Sequence, residues 1–288
     1  MERRELVAIA RRFQARRQLG QNFLTDPHVL ERIAGTLDLS PSDSVLEIGP
    51  GLGFLTRFLT GSGAAVTAVE LDASCVEHLR RLNLPGLRIV HADILQFDLG
   101  LIGARRLKVV GNIPYQITAP IIAHLFGEID KPAAWLPLID KVVMTVQLEV
   151  AERLVARAGE KQYSQVTLLT NYYCRACILE VVPAECFFPE PKVTSAVVEL
   201  IPLAAPAVEA KNPRLLRQII QAGFAQRRKM LKNNLGFLHL PEGQLLAVFS
   251  SLKLDPQIRA EKLSLGQFAM LADALETARP MAESRKDE

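Results

Sequence analysis

The sequence predicts an α/β protein, with a doubly wound, mostly parallel sheet carrying helices on both faces and a small all-helical domain behind it. Three observations predict this. Short apolar, β-branched runs alternate with helical periodicity through the first half of the chain. Glycines crowd directly behind the first such run, in VLEIGPGLGFLT (45–56). Strand signals stop after IPLAAPAVEAKNP, and from about residue 211 onward the spacing is helical.

In chain order, the strand runs fall at 44–48, 65–70, 87–91, 106–111 and 139–146. Helical patterns lie between them at about 26–38, 53–61, 72–82 and 116–127. Two further strand runs, near 174–181 and 193–201, follow one another with no helix between, which predicts an antiparallel hairpin closing the sheet. LLRQIIQAGF, KMLKNNL and LGQFAMLADALE then show three-to-four spacing alone. The expected division is 1–205, opening with a basic arm at 1–20, and 206–288, ending in a short disordered tail, MAESRKDE.

At 288 residues the chain suits one large domain plus a small one, and 49% hydrophobic with 23% charged residues is the balance of a globular protein. The net charge of +3 is too mild to imply a polyanionic partner by itself, so its distribution carries the information. Arg3, Arg4, Arg11, Arg12, Arg16 and Arg17 crowd the N-terminus, and FAQRRKMLK near 230 is a second basic cluster. No run approaches the roughly 18 apolar residues of a membrane span. The arginine-rich start resembles either an RNA-contacting arm or an organelle-targeting segment; Glu2 and Glu5 count against targeting, and a cytoplasmic protein without membrane attachment is expected. Cys174 and Cys177 form a CxxC and Cys75 with His78 a CxxH, but the first pair lies in a strand run, where residues three apart face opposite sides. No metal site is expected, and the thiols are expected to be reduced and idle.

Glycines behind the first strand of a doubly wound sheet permit a tight turn and let the backbone approach a ligand at the strand's carboxyl end. Here they are Gly49, Gly51 and Gly53, in a GxGxG spacing and not GxGxxG. Glu70 ends the next strand about twenty residues on, where an acid can accept both hydroxyls of a ribose. A nucleotide-like ligand is expected, with a dehydrogenase and a methyltransferase as competing readings.

ExGxGxG followed by an acid at the end of the second strand resembles the S-adenosyl-L-methionine site of class I methyltransferases, whose Rossmann-like fold is the doubly wound sheet expected here. VVGNIPYQITAPII (109–122) contains Asn112-Ile113-Pro114-Tyr115, similar to the NLPY or NIPY motif of enzymes that methylate adenine N6 in ribosomal RNA. LGQNFLTD (19–26), HADILQFD (91–98), FFPEPKVTSAVV (187–198) and FAQRRKMLKNNL (224–235) resemble the ribosomal RNA small-subunit adenine N6,N6-dimethyltransferase family. The likeness spans about 19–275. Erythromycin-resistance methyltransferases share the first motifs and often NIPY, but generally lack the last block. A noncatalytic RNA-binding assembly factor on the same fold is a third reading, against which intact Glu70, Asp93 and NIPY count.

The resemblance implies dimethylation of two adjacent adenosines in a 3′-terminal hairpin loop of small-subunit rRNA, with a role in subunit biogenesis. It implies a helical RNA-binding domain at 206–288, an immature small subunit as partner, and a monomer. It assigns Asn22 and Leu24 to the methionine and adenosine end of the cofactor, Gly49 with Gly51 to the methionine moiety, Glu70 to the ribose and Asp93 to the adenine amine. Asn112 and Ile113 would accept the hydrogens of the target amine, Pro114 would stiffen the turn, and Tyr115 would stack on the base, with Phe187 on the opposite face. Phe187 reads equally as a core aromatic, Asp93 as a helix cap and Asn22 as a turn residue. Arg227, Arg228 and Lys229 read either as a solvated helix face or as phosphate contacts to RNA.

Overall fold

The computed structural model describes residues 1–13 and 21–278, with Tyr115 described by its backbone alone. Arg16, Arg17, the first two residues of LGQNFLTD and the MAESRKDE tail therefore lie outside the described residues. The chain forms two compact units, Met1–Gly127 with Ala133–Glu152 and Arg175–Pro202, and Glu128–Pro132 with Arg153–Cys174 and Leu203–Glu288.

The first unit is built on seven strands, β1 (Ser44–Ile48), β2 (Ala65–Glu70), β3 (Leu87–His91), β4 (Leu107–Asn112), β5 (Ile139–Gln147), β6 (Cys174–Val182) and β7 (Ser195–Pro202). Their spatial order is β3-β2-β1-β4-β5-β7-β6. The neighbours from β3 to β5 run parallel, and β7 lies antiparallel to β5. Chain order thus reverses between β1 and β4, which is where doubly wound sheets open a ligand crevice beyond their carboxyl ends. The strand runs read from sequence agree to within two residues, because buried β-branched runs have few other uses.

Helices α1 (Arg3–Arg12), α2 (Pro27–Thr36), α3 (Phe54–Gly61), α4 (Ala73–Leu82) and α5 (Thr118–Phe126) cover the parallel part. Asp26 caps α2, accepting from the His28 and Val29 amides, with Pro27 at the first helical position where no amide is missed. Asp72 caps α4 by accepting from the Ser74 amide. One core cluster joins Leu6 and Ala10 of α1, Leu30 and Ile33 of α2, Val45 of β1 and Val110 of β4. A two-residue pair, Phe23–Leu24 with Phe187–Phe188, is antiparallel and sets Leu24 opposite Phe187.

The second unit holds α7 (Gln165–Tyr173), α8 (Pro213–Ala225), α9 (Leu231–Asn234), α10 (Glu242–Ser251) and α11 (Leu265–Ala278), with α6 (Leu148–Val155) running from the first unit into it. Its make-up differs from the expected 206–288, since it also takes in 128–132 and 153–174. Packing explains the difference, as α7 lies against α8 and α11. Arg217 of α8 bridges Glu128 and Asp130, at 2.9 Å to the latter, and the Tyr163 hydroxyl donates to the Leu263 carbonyl at 3.0 Å. Helix α7, QVTLLTNYY, is rich in β-branched and aromatic residues, so its sequence carries little helical signal.

Candidate active site

Register brings the site together. Ile48 of β1 pairs with Val69 of β2 and with Gly111 of β4, so the next position, Gly49, stands level with Glu70 on one side and Asn112 on the other. Glu70 pairs in turn with His91, which places Asp93 two residues beyond the end of β3. The cavity over these ends has a volume of about 230 Å³ and is lined by Asn22, Leu24, Gly49, Gly51, Glu70, Asp93, Asn112, Ile113 and Pro114 among others.

The turn after β1 is left-handed at all three glycines, with φ of +63° at Gly49, +56° at Gly51 and +74° at Gly53. Side-chain-bearing residues avoid that region. A Cβ on Gly51 would also stand 2.9 Å from the Phe23 ring. The turn is tied to the neighbouring strand, as the Gly51 amide donates to Glu70 Oε2 at 2.9 Å while Glu70 Oε1 takes the Asp72 amide at 2.8 Å. Each carboxylate oxygen retains a lone pair for a further donor. Burial is the main force raising the Glu70 pKa, with the Asp72 charge adding and the amides of Asp72, Gly51 and Leu71 opposing.

Asp93 Oδ1 caps the short turn 94–96 through the Leu95 amide at 3.0 Å, and the residue also lines the cavity. Asn112 Nδ2 donates to the Asn22 carbonyl at 2.7 Å, which fixes the amide so that Oδ1 is the end left to accept. The Ile113 amide is used by the Thr145 carbonyl at 3.1 Å. Pro114 starts a 3₁₀ turn over Tyr115–Ile117, closed by the Ile117 amide on the Pro114 carbonyl at 3.1 Å.

Phe187 is not part of this cavity. It is 3% exposed and, paired with Leu24, belongs to the core cluster. In the basic segment Arg227 parts company with Arg228 and Lys229. Arg227 donates to the Lys161 and Tyr163 carbonyls at 3.0 and 2.9 Å and to Glu261 at 3.2 Å, and it lies 5.8 Å over the Phe224 ring. Arg228 and Lys229 are exposed. Asn234 is architectural too, donating to the Gly223 and Gln226 carbonyls at the end of α8.

Glu47 received no role from the sequence. It lines the cavity while 1% exposed, and its Oε2 has no hydrogen-bond partner among the described residues. Burial pushes its carboxyl up to about 8, and the charge on Glu70 adds to the shift. An acid inside an otherwise apolar strand was the signal available. Gly111 was also missed. A Cβ there would stand 2.5 Å from the Ile48 carbonyl, so only glycine lets β4 pass β1 beside the site. Among the described residues no group of three His, Cys, Asp or Glu side chains could hold a metal. Cys174 is buried and Cys177 exposed, as residues three apart on a strand require.

This sheet order, with a left-handed glycine turn between an acid-ending strand and an Asn-Ile-Pro-Tyr strand end, defines a class I methyltransferase. A family model described as Ribosomal RNA adenine dimethylase matches residues 12–277, and the chain belongs to that family. It is 41% identical over 263 residues to the Ribosomal RNA small subunit methyltransferase A of Methylococcus capsulatus, covering 90% of this chain and 97% of the relative. To the protein of the same name from Geobacillus kaustophilus it is 39% identical over 276 residues, covering 91% and 92%. Among solved structures, the 23S rRNA methyltransferase ErmE superposes with a TM-score of 0.68 at 28% identity, over 88% of this chain and all of that one. A dimethyladenosine transferase from Plasmodium falciparum, with a TM-score of 0.71 at 23% identity over 89% and 98%, shows the same fold.

Proposed function

We propose that the protein dimethylates N6 of two adjacent adenosines in a 3′-terminal hairpin loop of small-subunit ribosomal RNA, using S-adenosyl-L-methionine, and that it acts as a single chain on immature small subunits in the cytoplasm. The observation that carries the reading is the register placing Glu70, Gly49 and Asn112 side by side over one cavity. The residues fit the cofactor. Glu70 offers two oriented carboxylate oxygens for ribose hydroxyls, Asp93 an acceptor for an adenine amine, and Gly49, where a Cβ would meet nothing nearer than 4.0 Å, an open stretch of backbone for the methionine end. Asn22 and Leu24 would close over it from the other wall.

When bound, the cofactor supplies an electrophilic methyl group on a sulfonium. The chain's own work is to aim the acceptor, because the lone pair of adenine N6 is delocalised into the ring. Asn112 Oδ1, held by its Nδ2 contact to the Asn22 carbonyl, would accept one N6 hydrogen, and the Ile113 carbonyl the other. Two fixed acceptors draw the nitrogen toward tetrahedral geometry and stabilise the positive charge that develops on it. Positioning in line supplies much of the rate in such a displacement. Tyr115 would offer its ring to the base once the nucleotide has left its loop. Arg228 and Lys229 would meet phosphates, which orient RNA without reading its sequence.

The similarity to ErmE makes large-subunit RNA the competing substrate, and the small-subunit names of the curated relatives favour the first reading. Radiolabelled methyl transfer to unmethylated small subunits and to large-subunit RNA, with nucleosides resolved, separates them. Dimethyladenosine in the small subunit alone is expected. Label only in large-subunit RNA, or cofactor binding with no transfer to either, would refute the proposal.

A further inference from the structure

Helix α1 (Arg3–Arg12) precedes nearly all of the stretch matched by the family model, which begins at residue 12, so the family's shared sequence does not account for it. Its inward side is settled. Leu6 and Ala10 are buried in the core cluster that also holds Leu24 and Phe187, and Arg3 donates to the Glu185 carbonyl, while Arg11 stays exposed at the border of the two sides with its guanidinium 5.7 Å over the Phe188 ring. Its outward side carries Arg4, Ala8, Arg11 and Arg12, all exposed, within little more than a quarter turn of one another at 3.6 residues per turn. The acid nearest that side, Glu5, is committed to the helix start, where its carboxylate accepts the Glu2 amide at 3.0 Å. Three guanidinium groups therefore stand on one exposed face, each able to grip a phosphate through two parallel hydrogen bonds.

We propose that the outward face of α1 is a docking surface for the sugar-phosphate backbone of the RNA substrate, placed beside the cavity through the strand pair that joins α1 to Leu24. This rests on the functional reading above. A basic amphipathic helix also suits an anionic membrane, but such a helix must bury its apolar side in the bilayer, and here the core already occupies that side. The same burial opposes a targeting role, which needs the helix free of the fold.

The full-length triple variant R4Q/R11Q/R12Q tests the proposal by titration with protein-free small-subunit rRNA across a range of salt. Affinity at low salt should fall by about tenfold or more, and the slope of log affinity against log salt should shrink by roughly two to three, close to one for each phosphate contact removed. R4K/R11K/R12K should keep the wild-type slope, and R80Q/R81Q, which removes two exposed charges from α4 of the same unit, should leave it nearly unchanged. Cofactor affinity and melting temperature should match wild type throughout. An unchanged slope in the triple glutamine variant overturns the proposal, as does an equal loss in R80Q/R81Q, which would make the effect one of net charge. Binding of wild type to phosphatidylglycerol vesicles that the triple variant loses while binding RNA normally would assign the face to a membrane instead. If wild type itself binds no small-subunit RNA, the functional reading fails, and this proposal with it.

Discussion

The carboxyl ends of the strands and the basic segment after α8 were both conspicuous in the sequence, and they behave differently in the fold. At the strand ends, Glu70, Asp93 and Asn112 each spend part of their hydrogen-bonding capacity on the backbone and keep the rest for the cavity. In the basic segment, adjacent residues of the same type have opposite fates, with Arg227 committed to three protein oxygens and Arg228 exposed. A parallel sheet dictates where a residue at a strand end points. A helix end in a small bundle does not, because its surroundings come from distant stretches of chain.

The sharpest test of the strand-end side is Asn112→Ala. The fold and cofactor binding should survive, while single-turnover methyl transfer at saturating RNA falls by about two to three orders of magnitude, the scale for losing one oriented transition-state hydrogen bond. Transfer at the wild-type rate would mean that the amine is aimed by something else. Glu70→Ala should come next, weakening S-adenosyl-L-methionine by roughly a hundredfold in calorimetry, since a desolvated charged contact is worth about 1.5–3 kcal/mol and the Gly51 amide loses its acceptor as well.

Glu47 gives a pH-dependent test. Its folded pKa is raised, from 4.5 for an ordinary glutamate to about 8, so its contribution to stability is full below pH 4.5 and is lost as pH climbs through 8. Glu47→Gln abolishes that titration. The melting temperature of the variant relative to wild type should therefore rise steadily between pH 5 and 8 and then level off, and a difference independent of pH would mean that the carboxyl is not held neutral. The basic segment yields the smallest effects and the clearest contrast. Arg227→Ala should cost about 1–2 kcal/mol in urea unfolding, its partial exposure reducing the worth of its three contacts. Arg228→Ala should leave stability alone and lower the salt slope of RNA binding by roughly one. If the two substitutions behave alike, the contrast between these neighbours is wrong.

The elements hardest to see in the sequence are explained by the same physics. Helix α7 passes as strand-like because Val166, Thr167, Thr170 and two tyrosines suit either state in isolation, and its contacts with α8 and α11 decide the outcome. Phe187 sits in a motif that invites a functional reading, and its pairing with Leu24 also packs it into the core cluster, a contact no local pattern announces. Gly111 reads as an ordinary residue of a short strand, and only the Ile48 carbonyl against it makes glycine a requirement.

By itself the sequence determined the alternation of strands and helices, the glycine turn, the acid-ending strand and the Asn-Ile-Pro-Tyr strand end, because each depends on local periodicity or on a backbone conformation few residues adopt. Tertiary structure alone decided which polar groups were already satisfied. It bound Arg227 and Asn234 into the helical unit, set Asn112 with its amide nitrogen on the Asn22 carbonyl, and left Glu47 buried with an oxygen unpaired. Hydrogen-bond satisfaction depends on partners many residues away in the chain, and no local pattern encodes them.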